Sequence, residues 1–160
     1  MFVAFFESVK YVGHLLPISF LRIFFGYYYL QQALQKFNGD YLYKPRLASM
    51  IAEAIPHLSI SSNYKQFAEW AFISHWQTSA FIIVGLEFAF AFSYIIGYVV
   101  RPVAILATLY SLNLFYLLGT QNDELFRIFV AINIVFAWLG AGRCLGLDYY
   151  FYKRKRGLWW

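Results

Sequence analysis

The sequence predicts an all-α integral membrane protein: a four-helix bundle with amphipathic surface helices in the loop between helices 1 and 2. Three observations predict it. Only 13% of the 160 residues are charged and 61% are hydrophobic, whereas a soluble domain carries about a quarter of its residues as charges. Four stretches are mostly apolar over about 20 residues, the length that crosses a bilayer core. Proline and glycine punctuate those stretches where helices start and stop. The length allows one membrane domain over residues 1–160.

The predicted spans cover residues 11–35, 77–100, 102–119 and 124–142. The first holds one full charge at its middle, Arg22, and the second holds Glu87. The third holds none, and Pro102 suits its first turn, where a missing N–H costs nothing. The fourth carries Arg127 near one end and closes on Gly140 and Gly142. A very short turn at Val100–Arg101 makes spans two and three a tight hairpin, and Gln121-Asn122-Asp123-Glu124 makes the next turn.

The loop over residues 37–76 has its own pattern. Leu47, Met50, Ile51 and Ile55 recur at helical spacing after Pro45. Past Pro56, Tyr64, Phe67, Ala71 and Ile73 follow Asn63-x-x-Gln66, which resembles a capping box. Both sets read as amphipathic helices lying on the membrane surface or capping the bundle. The tail over residues 149–160, aromatic and then basic through Lys153–Arg156, reads as an interfacial anchor. That cluster, with Lys10, Arg101 and Arg143, places both termini on the cytoplasmic side of a multi-pass protein in a bacterial inner membrane.

A net charge of +5 in this setting signals anionic lipid and orientation, so the expected partners are membrane lipids and other membrane subunits, with no nucleic acid. No cleavable signal peptide is expected, because the first residues lack a basic start and a small-residue cleavage site. The lone Cys144 excludes an internal disulfide or CxxC chemistry, and His14, His57 and His75 lie far apart. No metal and no cofactor is therefore expected within the chain, a quinone excepted.

Charges in mid-membrane need partners. From the rise per residue, Arg22 and Glu87 reach nearly the same depth, roughly 14 Å and 17–20 Å from one end of their spans. The expectation is an Arg22–Glu87 pair, with Asn113 and Asn133 completing one polar layer. Arg22, Gly26, Tyr29, Ala33 and Lys36 share one helix face, as do Glu87, Ala91, Tyr94, Tyr98 and Arg101. Such a pair either fixes helix register or holds a polar head group. Gly85, Ala89, Ser93 and Gly97 form a second, small-residue stripe about 200° around from Glu87. It is expected to pack against another helix, in this chain or a partner.

Arg22-x-x-x-Gly26 with Lys36, Gly85-Leu86-Glu87, Gly97-x-x-x-Arg101 and Gly140-Ala141-Gly142-Arg143 with Asp148 come in that order along the chain. The set resembles the DoxX family of small four-helix membrane proteins. The resemblance implies kinship with the membrane subunit of a thiosulfate:quinone oxidoreductase, and it carries Arg22, Glu87, Arg101 and Arg143 over as motif positions. No catalytic residue set emerges from the residues themselves. The first functional expectation is an accessory subunit packed within a larger respiratory or redox complex. The alternative is a quinone-interacting oxidoreductase subunit, and a small transporter or lipid-handling protein ranks third.

Overall fold

The computed structural model of the chain describes residues 11, 13–57 and 61–154, with residues 119–123 described by their backbone. A 3₁₀ turn, Gly13–Leu15, leads into α1, Leu16–Asn38, whose first turn carries Pro17 and whose last turn carries Lys36. Proline costs nothing at that start, and a cation complements the helix dipole at that end. The loop then folds into α2, Arg46–Ala54, a 3₁₀ turn at Ile55–His57, and α3, Ser62–Ala68, which runs on as a π-helix over Glu69–Ser74. The long helices α4, Trp76–Ile96, and α5, Val100–Leu139, follow, and α6, Asp148–Arg154, ends the described chain. The remainder of the expected aromatic-basic tail lies outside the described residues.

Three local expectations change. Asn63 and Gln66 form no capping box: Ser61 is the cap residue of α3 and no side-chain capping bond is made, because Asn63 is already inside the helix. The turn between α4 and α5 falls at Gly97–Val99, one step earlier than Val100–Arg101. Gly97 takes the left-handed cap conformation (φ 72°), which glycine adopts without strain, and Val99 is also left-handed (φ 55°). The expected turn at residues 121–124 is not a loop between two elements: it lies inside one helical element, Val100–Leu139.

A straight helix would hold Ser111 and Asn133 roughly 33 Å apart. Instead Asn133 Nδ2 lies 3.4 Å from Ser111 Oγ, and the Arg127 guanidinium lies 5.5 Å from the Phe115 ring centroid. The chain therefore doubles back within α5, giving a first arm (100–118) and a second arm (124–139). At the end of the second arm Gly140 takes a left-handed cap (φ 63°), with its N–H and that of Ala141 bonded to Phe136 O.

Packing is fixed by a close crossing at Gly26, where an added Cβ would lie 2.9 Å from the backbone nitrogen of Ile95. A first core holds Phe25, Tyr29, Phe90, Tyr94 and Phe136, whose rings meet edge to face from α1, α4 and the second arm. A second holds Leu42, Leu47, Ile51, Ala68, Ile83 and Leu117. It fastens α2 and α3 over the end of the long helices, so the amphipathic loop is a cap.

The pattern of burial is reversed from that of a soluble protein. Arg22, Ser19, Ser111, Asn133, Glu87 and Asp148 are buried, while Phe20, Phe24, Ile82, Phe92, Leu109 and Trp138 (82% exposed) point outward. Trp76–Ile96 and Val100–Leu118 are each long and apolar enough to cross a membrane.

Candidate functional site

Arg22 and Glu87 do not pair. The register explains why: with Gly26 against Ile95 in antiparallel helices, Arg22 falls opposite the Gly97–Val99 turn and Glu87 falls opposite the last turns of α1. Depth counted from estimated span ends set both residues at one level. Those ends are not level: the Gly26–Ile95 crossing carries the start of α1 well past Ile96, and this offset separates the two residues.

Arg22 is the centre of a knot of backbone. Its Nη1 donates to Ala141 O at 2.9 Å and its Nη2 to Leu145 O at 2.9 Å, while Ser19 Oγ donates to Cys144 O at 2.8 Å. Residues 140–148 therefore wrap the guanidinium with carbonyls, and Leu145 takes a left-handed conformation (φ 51°) within that wrap. Asp148 closes the loop: its carboxylate accepts from Val99 N at 2.6 Å and Val100 N at 3.0 Å, satisfying the start of α5. Its own N–H donates to Gly97 O at 3.0 Å. Burial pushes the Asp148 carboxyl above its ordinary value, against the pull of those two N–H groups and of Arg22.

Glycine is required at two of these positions. A Cβ on Gly97 would strike the Arg22 guanidinium, and one on Gly142 would strike the Asp148 carboxylate. Nearby, Arg101 packs against Gly140, and the Arg143 guanidinium stacks 4.2 Å from the Tyr152 ring centroid. Arg22, Arg101 and Arg143 thus all gather at this end, with the scaffold rather than with Glu87.

The other end of α1 carries a different chemistry. Glu87, whose side chain is 3% exposed, binds Lys36, whose side chain is 24% exposed. Tyr110 of the first arm donates to the same oxygen, Glu87 Oε1, at 2.6 Å. Glu87 Oε2 is buried and has no hydrogen-bond partner among the described residues. A buried acceptor left open costs about 1–3 kcal/mol, more when charged, so its vacancy is informative. Glu87, Lys36 and Tyr110 line a cavity of about 870 Å³ between α1, α2, α4 and both arms of α5. Most of its wall is apolar, including Met50, Ile82, Leu106 and Phe129, with Tyr28, Gln32, Asp40 and Arg46 among the further polar groups. That is the size and make-up of a small-molecule site: an apolar body with a few convergent polar groups.

Asn133 sits one layer away. Tyr94 donates to its Oδ1 at 2.5 Å, and its Nδ2 donates to Tyr29 at 3.2 Å. Tyr29 and Ser111 link this network to the cavity wall. Asn113 leaves the layer expected for it and donates to Tyr64 of α3 at 3.0 Å, tying the cap to the first arm. On the small-residue stripe, Gly85 and Ala89 are exposed, Ser93 is half-buried, and Gly97 turns inward to Arg22. Sequence reasoning missed Lys36 and Tyr110 as partners of Glu87. Lys36 stood on the right helix face, but only the crossing register brings the two together.

Comparison with curated proteins and with solved structures gave no match. A family model described as TQO small subunit DoxD matches residues 18–159. The resemblance to DoxX proteins resolves into this DoxX-like family, and its outward apolar faces and two apolar helices make the chain a membrane protein. Spanning nearly the whole sequence, that match establishes that the chain belongs to the DoxD family.

Proposed function

We propose that the chain is the membrane subunit of a thiosulfate:quinone oxidoreductase-type complex and that its cavity receives a quinone head group. One observation carries the reading: an apolar chamber of about 870 Å³ with a Lys36–Glu87–Tyr110 cluster in its wall, where Glu87 Oε2 is buried with no hydrogen-bond partner among the described residues. Lys36 supplies donors for a carbonyl oxygen, Glu87 supplies an acceptor for a hydroxyl, and the apolar walls suit a ring and its chain. On this reading α1, α4 and the two arms of α5 are the four helices of a transmembrane bundle. The reversal within α5 supports that count, because it brings Ser111 and Asn133 into contact. Both termini lie on the cytoplasmic side of a bacterial inner membrane, as the basic residues of the Arg22 end favour.

The experiment is a titration of the detergent-purified chain with decylubiquinone. The native protein saturates and Glu87→Ala weakens binding at least about tenfold, the scale of one lost polar contact of about 1.4 kcal/mol. Unchanged affinity in that variant removes the head-group assignment.

A second reading, an accessory subunit held against a partner helix, is favoured by the exposed Gly85–Ala89 face of α4. Purification in mild detergent retains partner subunits on this reading, and a clean monomer removes it.

A further inference from the structure

Resting on the quinone reading of the cavity, we infer that Glu87 exchanges protons with the bound head group and that Lys36 connects Glu87 to the aqueous face at the capped end of the bundle. Oε1 of Glu87 is committed to Lys36 and Tyr110, while Oε2 is buried and has no hydrogen-bond partner among the described residues. A group that both holds a cation and keeps a free oxygen beside a ligand chamber is placed to pass a proton between them. Lys36 stands partly exposed in the last turn of α1, four residues before Asp40, which pairs with Lys44 in the surface turn, so its side chain runs between Glu87 and the surface.

Among the described residues, the polar network in the opposite direction ends inside the core. From the cavity, Tyr29 and Ser111 lead to Asn133 and Tyr94, and Ser111 spends its own proton on Ala107 O. Beyond that network the Phe25 and Phe136 rings seal the core. Among the described residues, the ionisable groups facing Glu87 are Lys36, Tyr28 and Tyr29 from α1, Tyr41 from the loop, and Tyr110 from α5, of which only Lys36 is a cation at neutral pH. Asp40 and Arg46 also line the cavity and pair with each other.

The step balances with two electrons, which on the proposed function come from the oxidation of thiosulfate. As charge builds on a head-group oxygen, an O–H bond forms there and the Glu87 carboxyl O–H breaks. That carboxyl proton comes from Lys36, whose N–H breaks as the carboxyl O–H forms, and water returns a proton to the amine. Two electrons and two such transfers convert one quinone to its hydroquinone. In the test an electrode supplies the electrons.

The chain is reconstituted in phosphatidylcholine vesicles on an electrode with decylubiquinone at a concentration saturating for each variant, and redox difference infrared spectra are recorded. The expected result is a carboxylic C=O band that shifts in heavy water and is missing in Glu87→Gln. Lys36→Met keeps that band but slows its appearance about 10²-fold, the scale of a lost proton-transfer group. A band that persists in Glu87→Gln, or an unchanged rate in Lys36→Met, overturns the inference while leaving the binding site standing. Failure of the native chain to bind decylubiquinone removes both.

Discussion

Arg22 and Asp148 show how single residues hold this protein together. Arg22 is fully buried, yet its hydrogen-bond acceptors are carbonyls from a loop about 120 positions away in sequence. A lysine there keeps the charge but loses the planar fork that reaches Ala141 and Leu145 together. Arg22→Lys is expected to lower stability by about 2 kcal/mol, the scale of one charge-assisted hydrogen bond lost in a buried site. Thermal unfolding in detergent checks it. For Asp148 the sign of the pH effect follows from burial. The folded chain holds the carboxyl proton above the ordinary 3.8, where the unfolded chain has already released it. Stability from this group therefore falls as pH rises through that interval, from about pH 4 upward. The melting temperature of the native chain should show that decline, and Asp148→Asn should flatten it.

Among the elements, α4 carries the most varied duties. One side presents Glu87, Ala91 and Tyr94 to the interior, and the Gly26–Ile95 crossing sets its register against α1. The other side leaves Gly85 with nothing within 4 Å of an added Cβ. Gly85→Ile is therefore expected to leave the isolated chain folded, with a melting temperature no lower than the native one. On the accessory-subunit reading, the native chain is expected to retain a partner subunit in mild-detergent purification and this variant to lose it. Retention of the partner would move the packing face elsewhere. Helix α2 has the opposite character: Leu47 and Ile51 are buried against the long helices, so this loop helix belongs to the core of the capped end.

At the scale of the molecule, two polar assemblies lie at opposite ends of α1. The Arg22–Asp148 knot ties the loop after α5 to the α4–α5 turn, and the Lys36–Glu87–Tyr110 cluster faces the cavity. A transmembrane bundle puts these ends on opposite sides of the bilayer. Cys144 is fully buried, so the native thiol is silent to an impermeant maleimide. Single cysteines introduced as Lys44→Cys and Arg154→Cys report the two ends. The first is expected to label in intact cells, and the second only after permeabilisation. Labelling of both from the same side would refute the bundle and its orientation.

The sequence by itself determined the helical class and the membrane setting. Charge density and segment length are sums over residues and need no knowledge of neighbours. It also marked Arg22, Glu87, Asn133 and the glycines, because polar groups and glycine stand out against an apolar background. Tertiary structure alone decided which of them meet. Partner choice depends on where two helices cross, and that crossing is set at Gly26 and Ile95 by side-chain volume on both helices. Moving the register by more than three turns would set Glu87 opposite Arg22 without altering hydropathy at any position. The reversal within α5 was legible in the polar Gln121–Glu124 stretch, whereas only the fold decided that α2 caps the bundle and closes over the cavity.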